Sequence, residues 1–271
     1  MMRSLWTAAS GMKSQQLQVD TISNNLANVN TVGYKKERLE FKSLLYETMQ
    51  KAITDADGAG RPVNLQVGHG VRPVATLKNF STGNIDMTHN PLDLAINGKG
   101  FFAIQGPNEE EVYTRDGSFK TSVVDGELMI VTSDGYPLLG IDDEPIYIPE
   151  NVSIEDLTIT EEGVLQYIDE DQELVELDNQ IKIVQFSNRA GLEAMGQNFF
   201  KVTLASGEPI IEVDEELQNP SRIVQGALES SNVQVVEEMV KMIIAQRAYD
   251  INSKAIQTSD DMLAIANQLK R

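Results

Sequence analysis

A chain of 271 residues can hold one large domain or two small ones, and the absence of cysteine excludes disulfides, thiolate metal sites and cysteine nucleophiles. Its net charge is −19, from 41 Asp/Glu against 22 Lys/Arg, a balance that disfavours nucleic acid and anionic membranes, whose phosphates would repel it. The charge is uneven: residues 73–225 hold 8 Lys/Arg and 29 Asp/Glu, or −21, whereas 1–72 carry +3 and 226–271 carry −1.

The opening MMRSLWTAASGMKSQQ lacks the unbroken apolar core of a cleavable signal peptide. No run of about 18 apolar residues suggests a membrane span. These rules alone point to the cytosol, and export without a cleaved signal would escape them. The first segment then follows a heptad. Leu5, Met12, Val19 and Leu26 form one row, and Ala8, Gln15, Ile22 and Val29 the other. That is the pattern of a narrow helix seam.

The stretch SNNLANVNTVGYK, residues 23–35, ends this helix with Asn24, Asn25, Asn28 and Asn30. Asparagine is a poor helix former because its amide competes for nearby backbone groups. Asn30 and Gly33 read as a helix stop. Asn24, Asn25 and Asn28 admit two readings. They are further stop signals, or buried amides that pair between neighbouring subunits and fix register.

Residues 36–72 are a connector. KKERLEFKSLLYETMQKA can be helical or extended, and TDADGAGRPVNLQVGHG reads as a long loop. From 73 to 225 the period changes. Leu92, Leu94 and Ile96 alternate into Asn97-Gly98, and Asp116-Gly117, Asp125-Gly126 and Asp134-Gly135 follow at intervals of nine. Such dipeptides favour two-residue hairpins. QIKIVQF (180–186) and NFFKVTL (198–204) read as further strands. An all-β body, sandwich or barrel-like, is expected. His69 and His89 lie in loop contexts with no catalytic motif around them. Asp142-Asp143-Glu144 and Asp169-Glu170-Asp171 lack EF-hand spacing and read as solvated surface.

The last segment predicts one helix from about 232 to 269, roughly 55 Å long. Ser230, Ser231 or Asn232 would cap it. Val240 leads into two rows, Ile244, Ile251, Thr258, Ile265 and Ala248, Ala255, Met262, Leu269. The fold class is therefore α+β: discontinuous terminal helices (1–35 and 226–271) forming a coiled-coil-like domain, a connector (36–72), and a central all-β domain (73–225). The seams suit an ordinary intramolecular pair. The near-neutral outer faces, with small residues such as Ala9, Gly11, Ala245 and Ala264, equally suit packing into an oligomer.

At the two ends, SNNLANVNTVGYK and SSNVQVVEEMVKMIIAQRAYDINSKAIQTSDDML (230–263) resemble the flagellar rod and hook proteins of bacteria, as do the central LDLAINGKGFF, YTRDGSFK and GYPLLG. VGHGVRPVATLKNFSTGNI (67–85) and the segment 46–66, which hook proteins lack, are similar to the distal-rod branch. The resemblance implies a structural subunit with no catalysis and no cofactor, in which the terminal helices form an inner tube. It implies as partners further copies of the same chain, the proximal rod and hook-junction proteins, the surrounding ring proteins and the flagellar export apparatus, with no nucleic acid and no direct membrane insertion. It implies a place in the basal body, crossing the periplasm after export without a cleaved signal, and a role for 46–66 in keeping the rod straight. The candidate assembly interface is Leu5, Met12, Val19, Ile22, Asn25, Leu26, Asn28, Val29, Val240, Ile244, Ala248, Ile251, Ala255, Met262, Ile265 and Leu269. The alternatives are a proximal rod or hook subunit, or an extracellular binding module on a coiled-coil stalk.

Overall fold

The structure, a computed structural model, describes residues 2–52, 63–124, 126–149, 152–168, 174–213 and 219–268. The chain divides into two compact units. One comprises residues 1–27, 37–77 and 234–271, and the other residues 28–36 and 78–233. The first holds two long helices, α1 (Met2–Ala27) and α2 (Val235–Gln268). The second is β-rich, so the α+β class with discontinuous terminal helices holds.

The unit boundaries differ from the three-way division expected above. The connector is extended rather than helical, and it packs with the helices. Its strands Glu37–Ser43 and Val71–Lys78 pair with each other, and Tyr46–Gln50 pairs antiparallel with Leu65–Gly68. Ser10 explains part of this. The Val71 N–H donates to its hydroxyl at 3.4 Å, and a Cβ on Gly70 would lie 2.2 Å from the same oxygen. Conversely, residues 28–36 and 226–233 belong to the β-rich unit, where the Gly33 N–H donates to the Glu229 carbonyl at 2.8 Å. Helix α2 starts at Val235 because Asn232, the expected cap, is bonded elsewhere.

The β-rich unit is built on a six-stranded sheet in the order Glu193–Gly196, Phe199–Lys201, Glu111–Thr114, Phe101–Gln105, Ile183–Gln185, Ile210–Ile211. All its neighbouring strands are antiparallel. Both its faces are buried. Phe101, Ala103, Tyr113, Val184 and Phe200 join one core, and Phe102, Ile104, Val112, Ile183 and Phe199 the other. Alternate residues take opposite faces of a strand, so a sheet covered twice requires continuous apolar runs such as Phe101–Ile104. Phe80, Phe101, Phe186 and Phe200 meet edge-to-face with centroids 5.3–5.8 Å apart, the geometry that ring quadrupoles prefer.

Two of the expected hairpins are absent. Leu94–Asn97 pairs with Arg222–Gln225 rather than across Asn97-Gly98 with Phe101–Gln105. Gly98 and Gly100 instead let the backbone run against Ser221, whose hydroxyl accepts from the Gly100 N–H at 2.8 Å. At Asp116-Gly117 the chain crosses rather than reverses. A Cβ on Gly117 would lie 1.6 Å from the Leu94 carbonyl oxygen, so only glycine permits that approach. The Asp125-Gly126 expectation holds, with Val124 opposite Glu127, although Asp125 itself lies outside the described residues. Gly135 turns the chain with φ +88°.

Candidate assembly interface

Helices α1 and α2 run antiparallel, and the layers between them are polar or small. Ser4 Oγ lies 3.3 Å from Ser259 Oγ. Seven residues on, Gly11 makes room for Asn252, whose Nδ2 would be 2.9 Å from a Cβ there. Two heptads further, Asn25 Nδ2 donates to Glu238 Oε2 at 3.3 Å. Each step of seven along α1 is matched by seven back along α2, and Ala245, Glu238 and Ser259 on this row are buried.

On α1 the expected rows face protein. Ala8 and Ile22 are buried, and Leu5, Met12, Val19, Leu26 and Val29 are half-buried. On α2 they do not. Ile244 is 63% exposed and Ile251 67%, and Val240, Met262, Ile265 and Ala255 are also exposed, while Ala248 is half-buried. Leu269 lies outside the described residues. The row that α2 buries against α1 is the one through Glu238, Ala245, Asn252 and Ser259, which carries no large apolar residue and so gives no hydrophobic period. The apolar stripe points away from that row. An apolar helix face of this length left in water is the usual mark of an interaction surface.

The asparagines act within the chain. Asn25 is buried, its Oδ1 accepting from the Glu37 N–H at 2.8 Å and its Nδ2 donating to the Glu37 carbonyl at 2.8 Å. The returning connector strand therefore satisfies this amide within the chain. Asn28 Oδ1 accepts from the Thr31 hydroxyl at 3.1 Å, and the Thr31 N–H donates to the Asn28 carbonyl at 3.2 Å. Asn28 therefore serves the helix stop, as does Gly33 with φ +67°. Among the described residues no metal-ligating cluster includes either histidine: His69 Nε2 lies 3.6 Å from Glu47 Oε2, and His89 sits in a loop with φ +61°.

Sequence reasoning missed an ionic cluster inside the β-rich unit. Glu229 accepts from Lys35 Nζ at 2.5 Å, Arg115 Nη1 at 3.1 Å and the Gly83 N–H at 2.7 Å. All three charged side chains are almost wholly buried. Lys35 also donates to the Ser81 carbonyl at 3.0 Å, and Arg115 to the Gly98 carbonyl at 2.7 Å. Arg115 stands over the Phe101 ring, 5.1 Å from its centroid. Nothing in the one-dimensional string separates these charges from surface ones.

Two cations share one anion, and the titration reflects it. Burial pushes the Lys35 ammonium down to about 8, against the opposing pull of Glu229 and assisted by Arg115. The depressed value fixes a sign. Below about pH 8 Lys35 is protonated in both folded and unfolded chains, and the folded state carries the whole penalty. The penalty fades as pH rises from about 8 to the unfolded value of 10.5. Measured against Lys35→Met, which cancels every other group, the β-rich unit should therefore gain on the order of 3 kcal/mol across that window. Denaturant titrations at pH 7.5 and 10.5 check this, and a parallel pH response in both proteins would contradict it.

No helix among the described residues is long and apolar enough to cross a membrane. Three family models match the chain: flagella basal body rod protein over residues 5–35, flagellar hook protein FlgE/F/G D1 domain over 95–167, and flagellar basal body rod FlgEFG protein C-terminal over 224–269. The chain is 50% identical to the flagellar basal-body rod protein FlgG of Borreliella burgdorferi over the whole of both chains. It is 42% identical to the FlgG of Caulobacter vibrioides over 99% of this chain and all of that one. It is 35% identical to the FlgG of Bacillus subtilis, again over both whole chains.

Proposed function

Because the chain belongs to the flagellar basal-body rod protein family, we propose that it is a structural subunit of the distal rod, one copy of a helical tube that carries torque from motor to hook. The observation that supports this reading is the apolar stripe of α2, outward and uncovered in the single chain, on a terminal helix pair of near-neutral charge. Copies packing stripe to helix would bury it, and the acidic β-rich unit would keep the remaining surface solvated. Torque then passes through many repeated helix contacts, and the chain needs no catalytic site.

Within this proposal the immediate partners are the proximal rod and hook-junction proteins at the two ends and ring proteins around the shaft. The chain reaches its place across the periplasm through the flagellar export apparatus. The segment 46–66 contributes the strand Tyr46–Gln50, with Tyr46 exposed, and the first two residues of its partner strand Leu65–Gly68, and its residues 53–62 lie outside the described ones. We assign it the task of holding the tube straight.

Electron microscopy of the purified full-length chain tests both statements. Straight tubes are expected from the parent and curved ones after deletion of residues 52–62. A discrete dimer from the parent would favour a binding module on a coiled-coil stalk. Tubes equally straight after the deletion would reduce the segment to a linker.

A further inference from the structure

The chain passes between its two compact units four times, after residues 27, 36, 77 and 233. On the β-rich side these passages are the segments 28–36, 78–83 and 229–233, and two side chains of the last, Glu229 and Asn232, each bond to both of the others. Glu229 takes Lys35 from the first and the Gly83 N–H from the second, while its own carbonyl receives the Gly33 N–H. Asn232 repeats the pattern: its Oδ1 accepts from the Lys36 N–H at 2.9 Å, and its Nδ2 donates to the Asn79 carbonyl at 2.8 Å and the Ser81 carbonyl at 3.1 Å. Lys35 adds a bond to the same Ser81 carbonyl, and the Asn79 N–H donates to the Lys36 carbonyl at 2.8 Å.

We propose that Glu229 and Asn232 form a clasp that makes the three segments one stiff element, so that load borne by the terminal helices enters the β-rich unit without each passage hinging separately. The choice of side chains supports this. Well-packed apolar residues of similar volume usually stabilise a core as well as a buried ion cluster does, but they do not single out particular strands. A carboxylate offers about four lone-pair sites and a carboxamide offers two donors and an acceptor. Each can bind three backbone segments at once, in fixed directions. Both residues are positioning residues, acting through the segments they hold.

This inference rests on the rod reading, and Asn232→Ala separates the two. The variant removes half the clasp and leaves the buried ions in place. Amide exchange on the full-length chain should accelerate at Gly33, Lys36 and Gly83 together, although only Lys36 loses its own bond. The rest of the β-rich unit should keep its protection. Tubes grown from the variant should have a shorter persistence length than the parent's. Acceleration confined to Lys36, or tubes as stiff as the parent's, would overturn the clasp and leave the rod reading intact. If the parent forms no tubes, the rod reading fails and the clasp's mechanical role fails with it.

Discussion

Ile251→Asp is expected to abolish assembly and to leave the monomer's thermal transition within error of the parent. In the single chain Ile251 is 67% exposed, so aspartate there desolvates nothing, and exposed substitutions of this kind usually fall within about 0.5 kcal/mol. On the packing proposed above, the same position lies at the centre of the stripe that neighbouring copies would bury. An unpaired carboxylate driven into an apolar contact costs several kcal/mol even after relaxation, and the cost recurs in every subunit. Calorimetry on the monomer, beside a polymerisation or motility assay, measures the two effects separately. Had the seam been intramolecular, the monomer would lose stability too. A destabilised monomer, or normal tubes, would show that α2 does not present this row to a neighbour.

Glu229→Gln has the opposite profile, striking folding first. The change keeps volume and a hydrogen-bonding oxygen but removes the negative charge that Lys35 and Arg115 share at bonding distance. Burial already lowers the proton affinity of both cations, with Glu229 opposing it. Without the carboxylate, Lys35 can shed its proton, but Arg115 cannot, because a guanidinium stays charged in any protein. Breaking a buried pair from one side costs about 3–5 kcal/mol, and that loss is expected for the β-rich unit by denaturant titration. Lys35→Met supplies the contrast. It leaves one cation on one anion, and relief of the burial penalty that Lys35 carries offsets its forfeited hydrogen bonds, so a change within about 1 kcal/mol is expected at pH 7. Equal losses in the two variants would mean that the cluster is not short of negative charge.

The two substitutions separate the roles that charge and apolarity play in this chain. The apolar residues of α2 are spent on its outside, and charged residues sit in the middle of the β-rich unit. A reader of the string expects the reverse in both places.

The sequence by itself determined the class of each segment. The heptads, the turn dipeptides and the charge blocks are local properties. They placed helices at both ends and strands between them, gave α1 its inward rows and ended α1 near Asn28 and Gly33. The motifs at the two ends were sufficient for the family. Tertiary structure alone decided what covers each face. Periodicity reports that Ile244, Ile251 and Ile265 share a side of α2, but not that this side is exposed in the single chain. The side facing α1 carries the row Glu238, Ala245, Asn252 and Ser259, which has no large apolar residue and so escapes a hydrophobic pattern. Turn dipeptides mark where the backbone can bend. Which strand then pairs with Leu94–Asn97 depends on residues more than a hundred positions away. The burial of Lys35, Arg115 and Glu229 is likewise a non-local fact: a charged side chain leaves water only where the fold supplies its counter-charge and backbone partners, and those come here from segments scattered along the chain.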